Sequence, residues 1–351
     1  MNSLFFDTPL FNQFIGNWDT SMVEDMGLLF SGTLMFNQPL SNWDTSKVTN
    51  MQYMFNKTGQ FNQPIGNWNT SKVTNMAGMF MESQFFNQPI GNWDTSKVTS
   101  MLQMFSKAEK FNQPIGNWNT SLVTDMSYMF SENLIFNLPI GNWNTSKVTN
   151  MFYMFYHNSL FNQPIGNWDT SKVTDMRGMF NDATSFNQNL GNWNLSSSPQ
   201  INSMLDFSGL SCINYDSTLV GWANNSITPS NLTLGSAGLV YSSPPAVTAR
   251  NTLGNLKDWT IVDDAYNAGC NILSTSEVNK ENLKIYPNPV KNTLFFSKEL
   301  QKIEIYSVDG KLLKANPKGN HIDIPELPKG IYILKATDHL GNLLSEKLIK
   351  D

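Results

Sequence analysis

A motif built around tryptophan recurs through more than half of the chain at a constant interval of 25 residues. In most copies it reads Gly-Asn-Trp-(Asp/Asn)-Thr-Ser, and its tryptophans are Trp18, Trp43, Trp68, Trp93, Trp118, Trp143, Trp168 and Trp193. A fixed period of about 20–50 residues is typical of repeat architectures, in which each repeat packs only on its neighbours. The sequence therefore predicts a linear stack of about eight coils over residues 1–205.

Each repeat combines two apolar patterns. In the repeat that starts at Phe61, the apolar residues of Val73–Phe80 have the spacing of one face of a short helix. Ahead of them, Ile65–Trp68 form an apolar extended piece after Pro64, which cannot donate to a strand ladder. A short strand and a short helix in every coil predict an α/β repeat solenoid.

The tryptophans alternate with Phe, Met and Val columns of equal regularity. This pattern favours a buried structural ladder formed by all eight tryptophans, and an exposed row that stacks sugar rings is the alternative. Two asparagine columns run beside it, one from Asn12 to Asn187 and one from Asn17 to Asn192. Asn stabilises turns and can form amide ladders, so a structural role is expected, with a ligand-binding polar stripe as the alternative.

The positions that vary between coils are the best candidates for contact with a partner, because exposed variable segments often carry recognition. They include the two residues between the paired methionines of each repeat. The candidate partner-facing residues are Tyr53, Gln103, Tyr128, Tyr153 and Arg177. Ordinary drift at tolerant positions would produce the same variation.

The repeat resembles that of the BspA-like, leucine-rich-repeat-type surface proteins. The shared pattern is Phe-Asn-x-x-(Ile/Leu)-x-x-Trp-(Asp/Asn)-(Thr/Val)-Ser-x-Val-x-(Asn/Asp)-Met-x-x-Met-Phe, and it covers about residues 1–205. The resemblance implies a leucine-rich-repeat-like solenoid that is secreted or surface-attached and binds a ligand, often as an adhesin. It also implies coils without catalytic residues.

Residues 206–273 have the composition of a C-terminal cap for the stack. The predicted elements are a helix at Tyr215–Trp222, an extended segment at Leu232–Tyr241, a helix at Pro244–Leu253 and a strand at Asp258–Val262. Cys212 and Cys270 flank these elements. In an exported protein they could form a disulfide, and two buried free thiols are the alternative.

A polar linker at residues 274–282 leads into a segment, residues 283–351, that is predicted to be a small all-β sandwich. Asp309-Gly310 is a strong hairpin signal between two of its strands. The candidate strands are Leu283–Tyr286, Thr293–Phe296, Lys302–Tyr306, Lys311–Lys314, His321–Ile324, Ile331–Lys335 and Leu343–Ile349.

This last segment resembles the C-terminal sorting domain of the type IX secretion system. The motif residues that carry the resemblance are Tyr286, Pro287, Asn288, Pro289, Asp309, Gly310, Gly330 and Tyr332. The resemblance implies that residues 283–351 contact the outer-membrane secretion machinery and that the protein reaches the extracellular space or the outer cell surface. Such proteins first cross the inner membrane by means of a signal peptide, which this chain lacks at its start.

The register of the repeat gives a reason why no signal peptide stands at the start of this sequence. Met1, Leu4 and Phe5 occupy positions that Met26, Leu29 and Phe30 occupy one repeat later, so the chain begins in the middle of a coil. We expect at least half a repeat, and a signal peptide, to lie upstream.

Composition excludes several function classes. The formal net charge of −5 does not suit a nucleic-acid-binding protein, and no apolar run reaches the length of a membrane helix. The chain shows no phosphate-binding glycine loop, metal-ligand spacing or catalytic histidine arrangement, so no enzyme activity and no cofactor are expected. The sequence predicts an adhesin-like binding protein whose ligand is a protein or a glycan. A carbohydrate-binding module or a structural surface protein is the alternative.

Overall fold

The computed structural model describes residues 1–197, 199–270, 285–307, 311–337 and 343–351. Residues Met1–Ala268 form one compact unit, and residues Gly269–Asp351 form another. Each unit contains a hydrophobic core of its own.

The repeats of the first unit stack as successive coils joined by parallel bridges along one column. The bridged residues are Asp25, Asn50, Asn75, Ser100, Asp125, Asn150, Asp175 and Gln200, each paired with the next. A further bridge joins Ile201 to Leu234 and so continues the stack into the segment that follows the repeats. Every coil is therefore held by hydrogen bonds to the coils before and after it.

The prediction of an α/β solenoid with a strand and a helix in each coil is wrong. Among the described residues there are two α-helices, and both lie after the repeats. The segment Val73–Phe80, predicted as helical, is a chain of tight turns in which the Met79 N–H donates to the Met76 carbonyl at 3.2 Å. The predicted strand is also a turn, since the Trp68 N–H donates to the Ile65 carbonyl at 3.1 Å.

The N–H groups of the turn segment donate to carbonyls of the adjacent coil. In a helix these groups would bond within their own coil. Gly78 donates its N–H to the Leu102 carbonyl at 2.7 Å, and Phe80 donates to the Met104 carbonyl at 3.0 Å. A helix would instead direct these N–H groups to carbonyls four residues back in the same coil. Gly78 has a φ of +60°, so the chain also leaves the right-handed region in the middle of the segment.

Phenylalanine columns fill the interior of the stack. Phe80 packs on Phe86, the first residue of the following repeat, at 3.8 Å between ring centroids, and on Phe55 and Phe105, its equivalents in the adjacent coils, at 5.6 and 5.8 Å. All four side chains are fully buried. This repeated stacking supplies the continuous core that an isolated coil cannot form.

The first unit ends in a cap of two helices and two short parallel sheets. The elements are α1 (Cys212–Asn224), β1 (Thr233–Gly235), β2 (Val240–Tyr241), α2 (Pro244–Leu256), β3 (Thr260–Val262) and β4 (Ala265–Tyr266). Strand β1 pairs with β3, and β2 pairs with β4. The two helices, the extended segment and the strand predicted for this region are confirmed.

A buried polar cluster fixes the cap. The Arg250 guanidinium donates to both carboxylate oxygens of the buried Asp264, and the Tyr215 hydroxyl donates to the same carboxylate at 3.0 Å. Burial, and then the charge of Asp264, raise the pKa of Tyr215 well above its ordinary value. Cys212 and Cys270 are each disulfide-bonded, so the chain has no free cysteine.

The second unit consists of two antiparallel sheets around one core. Its strands are β5 (Ile285–Tyr286), β6 (Thr293–Leu300), β7 (Lys302–Tyr306), β8 (Leu312–Asn316), β9 (Gly319–Asp323), β10 (Gly330–Thr337) and β11 (Leu343–Lys350). One sheet has the order β11-β10-β7-β8, and the other has the order β5-β6-β9. The seven predicted strands are confirmed, whereas the linker 274–282 and the Asp309-Gly310 turn lie outside the described residues.

Candidate ligand-binding face

The tryptophan column lies inside the stack. Seven of the eight repeat tryptophans are at most 4% exposed, and Trp18 of the first coil is 43% exposed. Each buried indole N–H donates to a main-chain carbonyl of the preceding coil, as Trp68 does to Leu40 at 3.1 Å. The tryptophans therefore do not form a continuous exposed row that could stack sugars.

The first asparagine column also connects coil to coil. The Asn87 side-chain oxygen accepts the main-chain N–H of Asn112 at 3.0 Å and the side-chain amide of Gln113 at 2.9 Å. The main-chain contact recurs along the column from Asn12, and at Asn187 the cap residues Ser211 and Asn214 make both contacts. Asn112 makes the main-chain contact alone, since Leu138 replaces the glutamine. These oxygens hold the backbone of the next coil.

Four of the five candidate partner-facing residues occupy one position of the repeat. Tyr53, Gln103, Tyr128 and Tyr153 all have φ between +51° and +56°, and Arg177 precedes the same position in its own coil. The left-handed backbone directs each N–H to the next coil, as Tyr128 does to the Phe152 carbonyl at 2.8 Å. All five side chains are half-buried, and together they define the tyrosine face.

Glycines allow two of these tyrosines to lie flat on the following coil. A Cβ at Gly78 would stand 2.1 Å from the Tyr53 ring, and a Cβ at Gly178 would stand 2.0 Å from the Tyr153 ring. The Tyr53 hydroxyl consequently reaches Gln103, two coils further on, and donates to its side-chain oxygen at 3.1 Å. A tyrosine followed by glycine 25 residues later is the sequence signal for this arrangement.

An aromatic cluster forms around Tyr153. Tyr128 lies 5.5 Å from Tyr153 and meets the Phe152 ring edge-on at 5.1 Å. Tyr156 meets Tyr153 edge-on at 4.7 Å. Phe152 and Tyr156 both lie at variable positions of the repeat, which the sequence marks as candidates for contact with a partner.

Beside this cluster lies a groove of about 370 Å³, which we call the aromatic groove. Its walls include Gln103, Tyr128, Tyr153 and Tyr156, together with Lys107 and Glu132. Burial is the main cause that raises the pKa of Tyr128 and of Tyr156, and the neighbouring Tyr153 adds to it. These two phenols therefore remain protonated and uncharged at neutral pH.

The charged groups at this surface are paired. Lys107 lies 3.5 Å from Glu132 in the next coil. Arg177 forms an ion pair with Asp175 at 2.6 Å, and its guanidinium lies 4.7 Å above the centre of the Phe152 ring. Lys107 and Glu132 belong to a column in which the charge alternates in sign along Lys57, Glu82, Lys107 and Glu132, and which continues to His157 and Asp182.

Within the described parts of the chain, no group of three or more His, Cys, Asp or Glu side chains is placed to hold a metal ion. The described helices are all too short or too polar to cross a membrane.

The sorting-motif residues that the structure describes serve the second unit. Asn288 connects the loop after β5 to β11, since its amide donates to the Lys347 carbonyl and its oxygen accepts the Ile349 N–H, both at 2.9 Å. The Tyr332 hydroxyl donates to the carbonyl of Pro328 at 2.7 Å, and Pro328 lies two residues before Gly330 in the chain. Tyr286 is exposed, and so are Pro287 and Pro289.

A stack of repeats followed by a separate unit of two antiparallel sheets defines a modular repeat protein. The chain belongs to the family described as "Mycoplasma protein of unknown function, DUF285", which matches residues 1–72, 57–155 and 99–222. Residues 284–351 match the secretion system C-terminal sorting domain. The protein is therefore secreted to the cell surface or the extracellular space, and its sorting domain interacts with the type IX secretion machinery.

The chain is also similar to part of the protein named Beta-agarase D from Zobellia galactanivorans. The two are 30% identical in an alignment of 126 residues, and the alignment covers 31% of this chain. The chain thus spans 26% of the length of that relative. No solved structure matches the chain.

Proposed function

We propose that the protein is a non-enzymatic, adhesin-like binding protein that holds a ligand against its tyrosine face while attached to the outer cell surface. The ligand belongs to another cell surface or to the surrounding matrix. Residues 1–205 supply the binding surface, and residues 283–351 supply the export signal.

The observation that carries this proposal is the contrast between two sets of aromatic residues. The Phe columns of the core are fully buried, whereas Tyr53, Phe152, Tyr153 and Tyr156 remain half-exposed on one side of the stack. Aromatic residues and arginine are enriched in binding surfaces, where a few of them provide most of the affinity. The resemblance of the repeat to BspA-like surface proteins supports the same role.

The acidic groups of the repeat support a binding role more than a catalytic one. Asp94 accepts the main-chain N–H of Ser96 at 2.9 Å, and Asp44 and Asp169 make the same contact with Ser46 and Ser171. These carboxylates stabilise turns, and Asn replaces them in other coils.

A second candidate function is a carbohydrate-binding module that works beside secreted polysaccharide-degrading enzymes. The similarity to part of a protein named Beta-agarase D favours it. Both candidates use the tyrosine face, and they differ in whether binding serves attachment of the cell or the degradation of a polysaccharide.

Arrays of immobilised glycans and of matrix proteins, probed with the full chain, test the proposal. We expect binding to a defined subset of the probes, with loss of that binding in a Tyr128→Ser/Tyr153→Ser double variant. An exposed aromatic outside the face, Phe85, provides the matched control Phe85→Ser. Binding that is absent, or equal in all three proteins, would contradict the proposed function.

A further inference from the structure

We infer that the aromatic groove binds a neutral polysaccharide, an uncharged chain of pyranose rings. The inference rests on the proposed function and names the class of its ligand. Four properties of the groove support it: its aromatic rings, its hydrogen-bonding groups, its charge balance and its direction along the stack.

The aromatic rings provide surfaces for the apolar faces of sugars. Tyr128, Tyr153 and Tyr156 line the groove and are half-buried, so part of each ring is open to solvent. An aromatic ring carries negative charge on its face, and it therefore attracts the weakly positive C–H groups of a pyranose ring. The contacts among these rings, at 5.5 and 4.7 Å between centroids, hold them in place before a ligand arrives.

The same residues provide hydrogen-bonding groups for sugar hydroxyls. A tyrosine hydroxyl both donates and accepts, and so does the side-chain amide of Gln103. Tyr53 positions that amide by donating to its oxygen at 3.1 Å. A pyranose carries donors and acceptors around its rim and apolar faces above and below, which is the combination that the groove offers.

The charge balance favours an uncharged ligand over an anionic one. Lys107 and Glu132 contribute opposite charges to the groove and lie 3.5 Å apart. The nearby guanidinium of Arg177 is bound to Asp175. An anionic polysaccharide would lose attraction to the paired cations and would be repelled by Glu132.

The groove follows the stack. Gln103, Tyr128 and Tyr153 come from three successive coils, so the walls extend over two intervals of about 4.7–4.9 Å each. A surface groove of this length, about 370 Å³ in volume, suits an internal segment of a polymer. Contacts with successive rings would then add along the chain of the ligand.

Affinity electrophoresis of the full chain tests the inference. Native gels are cast with agarose or laminarin as neutral polysaccharides, or with alginate as an anionic one. We expect retardation that depends on polysaccharide concentration in at least one neutral gel, and none in alginate. Tyr128→Ala and Tyr156→Ala should each raise the apparent Kd about tenfold, as expected for an aromatic residue at the centre of a binding site.

Controls separate binding from folding and from general adhesion. Phe85→Ala removes an aromatic residue that is 46% exposed and does not line the groove, and it should leave the apparent Kd within about twofold. Thermal unfolding of each variant shows whether the stack is intact. An equal loss in Phe85→Ala and Tyr128→Ala would overturn the inference, because affinity would then not reside in the groove.

A phage-displayed random-peptide library distinguishes failure of the inference from failure of the proposed function. Two results would overturn the assignment of a neutral polysaccharide and leave the proposed binding function standing. One is retardation only in alginate. The other is Tyr128-dependent capture of peptides by a protein that no neutral gel retards. Failure of every probe to bind in a Tyr128-dependent manner would overturn both.

Discussion

At the scale of single residues, a repeat tryptophan joins neighbouring coils by two contacts. The Trp68 ring packs against Phe55 of the preceding coil, with 6.1 Å between ring centroids, and its indole N–H satisfies the Leu40 carbonyl. Trp18 has the equivalent ring neighbour, Phe5, at 5.8 Å between centroids, yet it is 43% exposed. The regular apolar columns of the sequence predict the buried ladder, but the exposure of Trp18 depends on its place in the first coil.

Trp68→Ala should lower the free energy of unfolding by about 3–5 kcal/mol, because it leaves a cavity and removes the indole hydrogen bond to the Leu40 carbonyl. Chemical denaturation measures the loss. Trp18→Ala is the matched control, and we expect it to cost less than about 1 kcal/mol since Trp18 is exposed. Equal losses in the two variants would contradict a structural role for the buried ladder.

The turn-forming aspartates predict how stability responds to acid. Hydrogen bonds from the side chain and then the backbone of Ser96 lower the pKa of Asp94 below its ordinary value of 3.8. The same serine contacts lower the pKa of Asp19, Asp44 and Asp169. A group whose pKa falls on folding adds stability above its unfolded pKa, and that stability is lost as the pH falls through the folded pKa.

Replacing Asp44, Asp94 and Asp169 together by Asn should therefore flatten the loss of stability below about pH 4. Asn at this position keeps the turn, as it does in the coils of Asn69, Asn119 and Asn144. Thermal unfolding followed between pH 2 and 7, roughly the range around the ordinary Asp pKa, measures the effect. An unchanged dependence of stability on pH would show that folding does not lower the pKa of these carboxylates.

At the scale of elements, the sequence predicts the cap and the second unit better than the coils. The cap helices and the seven strands of the second unit follow from ordinary periodicity and from Pro244 at a helix start. In the coils, consecutive turns repeat every three residues and place Met76 and Met79 on one side, as a helix would. The turns differ from a helix because their backbone pairs with the adjacent coils and because they contain residues with positive φ. The spacing of apolar residues predicts neither feature.

The variable positions of the sequence point to Tyr128, Tyr153 and Tyr156. The edge-on contact of Tyr156 with Tyr153, by contrast, depends on how the turn folds back and could not be predicted. The role of Gly178 under the Tyr153 ring likewise depends on contact between coils.

Replacing a glycine by alanine should have opposite effects on stability in α1 and in α2, because the glycine of α1 packs closely against the last coil. A Cβ at Gly221 in α1 would lie 2.4 Å from the Cα of Gly191, whereas the nearest atom to a Cβ at Gly254 in α2 is 3.9 Å away. Gly254→Ala should stabilise the protein by roughly 0.5–1 kcal/mol through helix propensity. Gly221→Ala should destabilise it by about 1–3 kcal/mol through overpacking.

Urea denaturation measures both changes. A stabilising effect of Gly221→Ala, similar to that of Gly254→Ala, would show that α1 is not packed closely on the stack.

At the scale of the whole molecule, the proposed binding surface and the sorting domain lie in separate segments of the chain. The repeats carry the tyrosine face, and residues 284–351 carry the sorting domain. The charge composition of the sequence places this division near residue 278, and the two compact units divide between residues 268 and 269.

Deletion of residues 284–351 should abolish export of the chain when it is expressed behind a signal peptide in a host with the type IX system. The expected result is accumulation in the periplasm, measured by fractionation and by surface labelling with antibody. The full-length Tyr128→Ala variant is the control, and it should reach the surface normally. Surface labelling of the deleted chain at the full-length level would contradict the assignment of export to this segment.

Hydroxyl-radical footprinting of the full chain, with and without an oligosaccharide of the neutral polysaccharide that retards it (agarose or laminarin), tests the central claim most directly. The account predicts that oxidation of Tyr128, Tyr153 and Tyr156 falls when the oligosaccharide is bound, while oxidation of Phe85 and Tyr266 stays unchanged. Protection that is absent at saturating oligosaccharide, or that is confined to residues outside the aromatic groove, would contradict it.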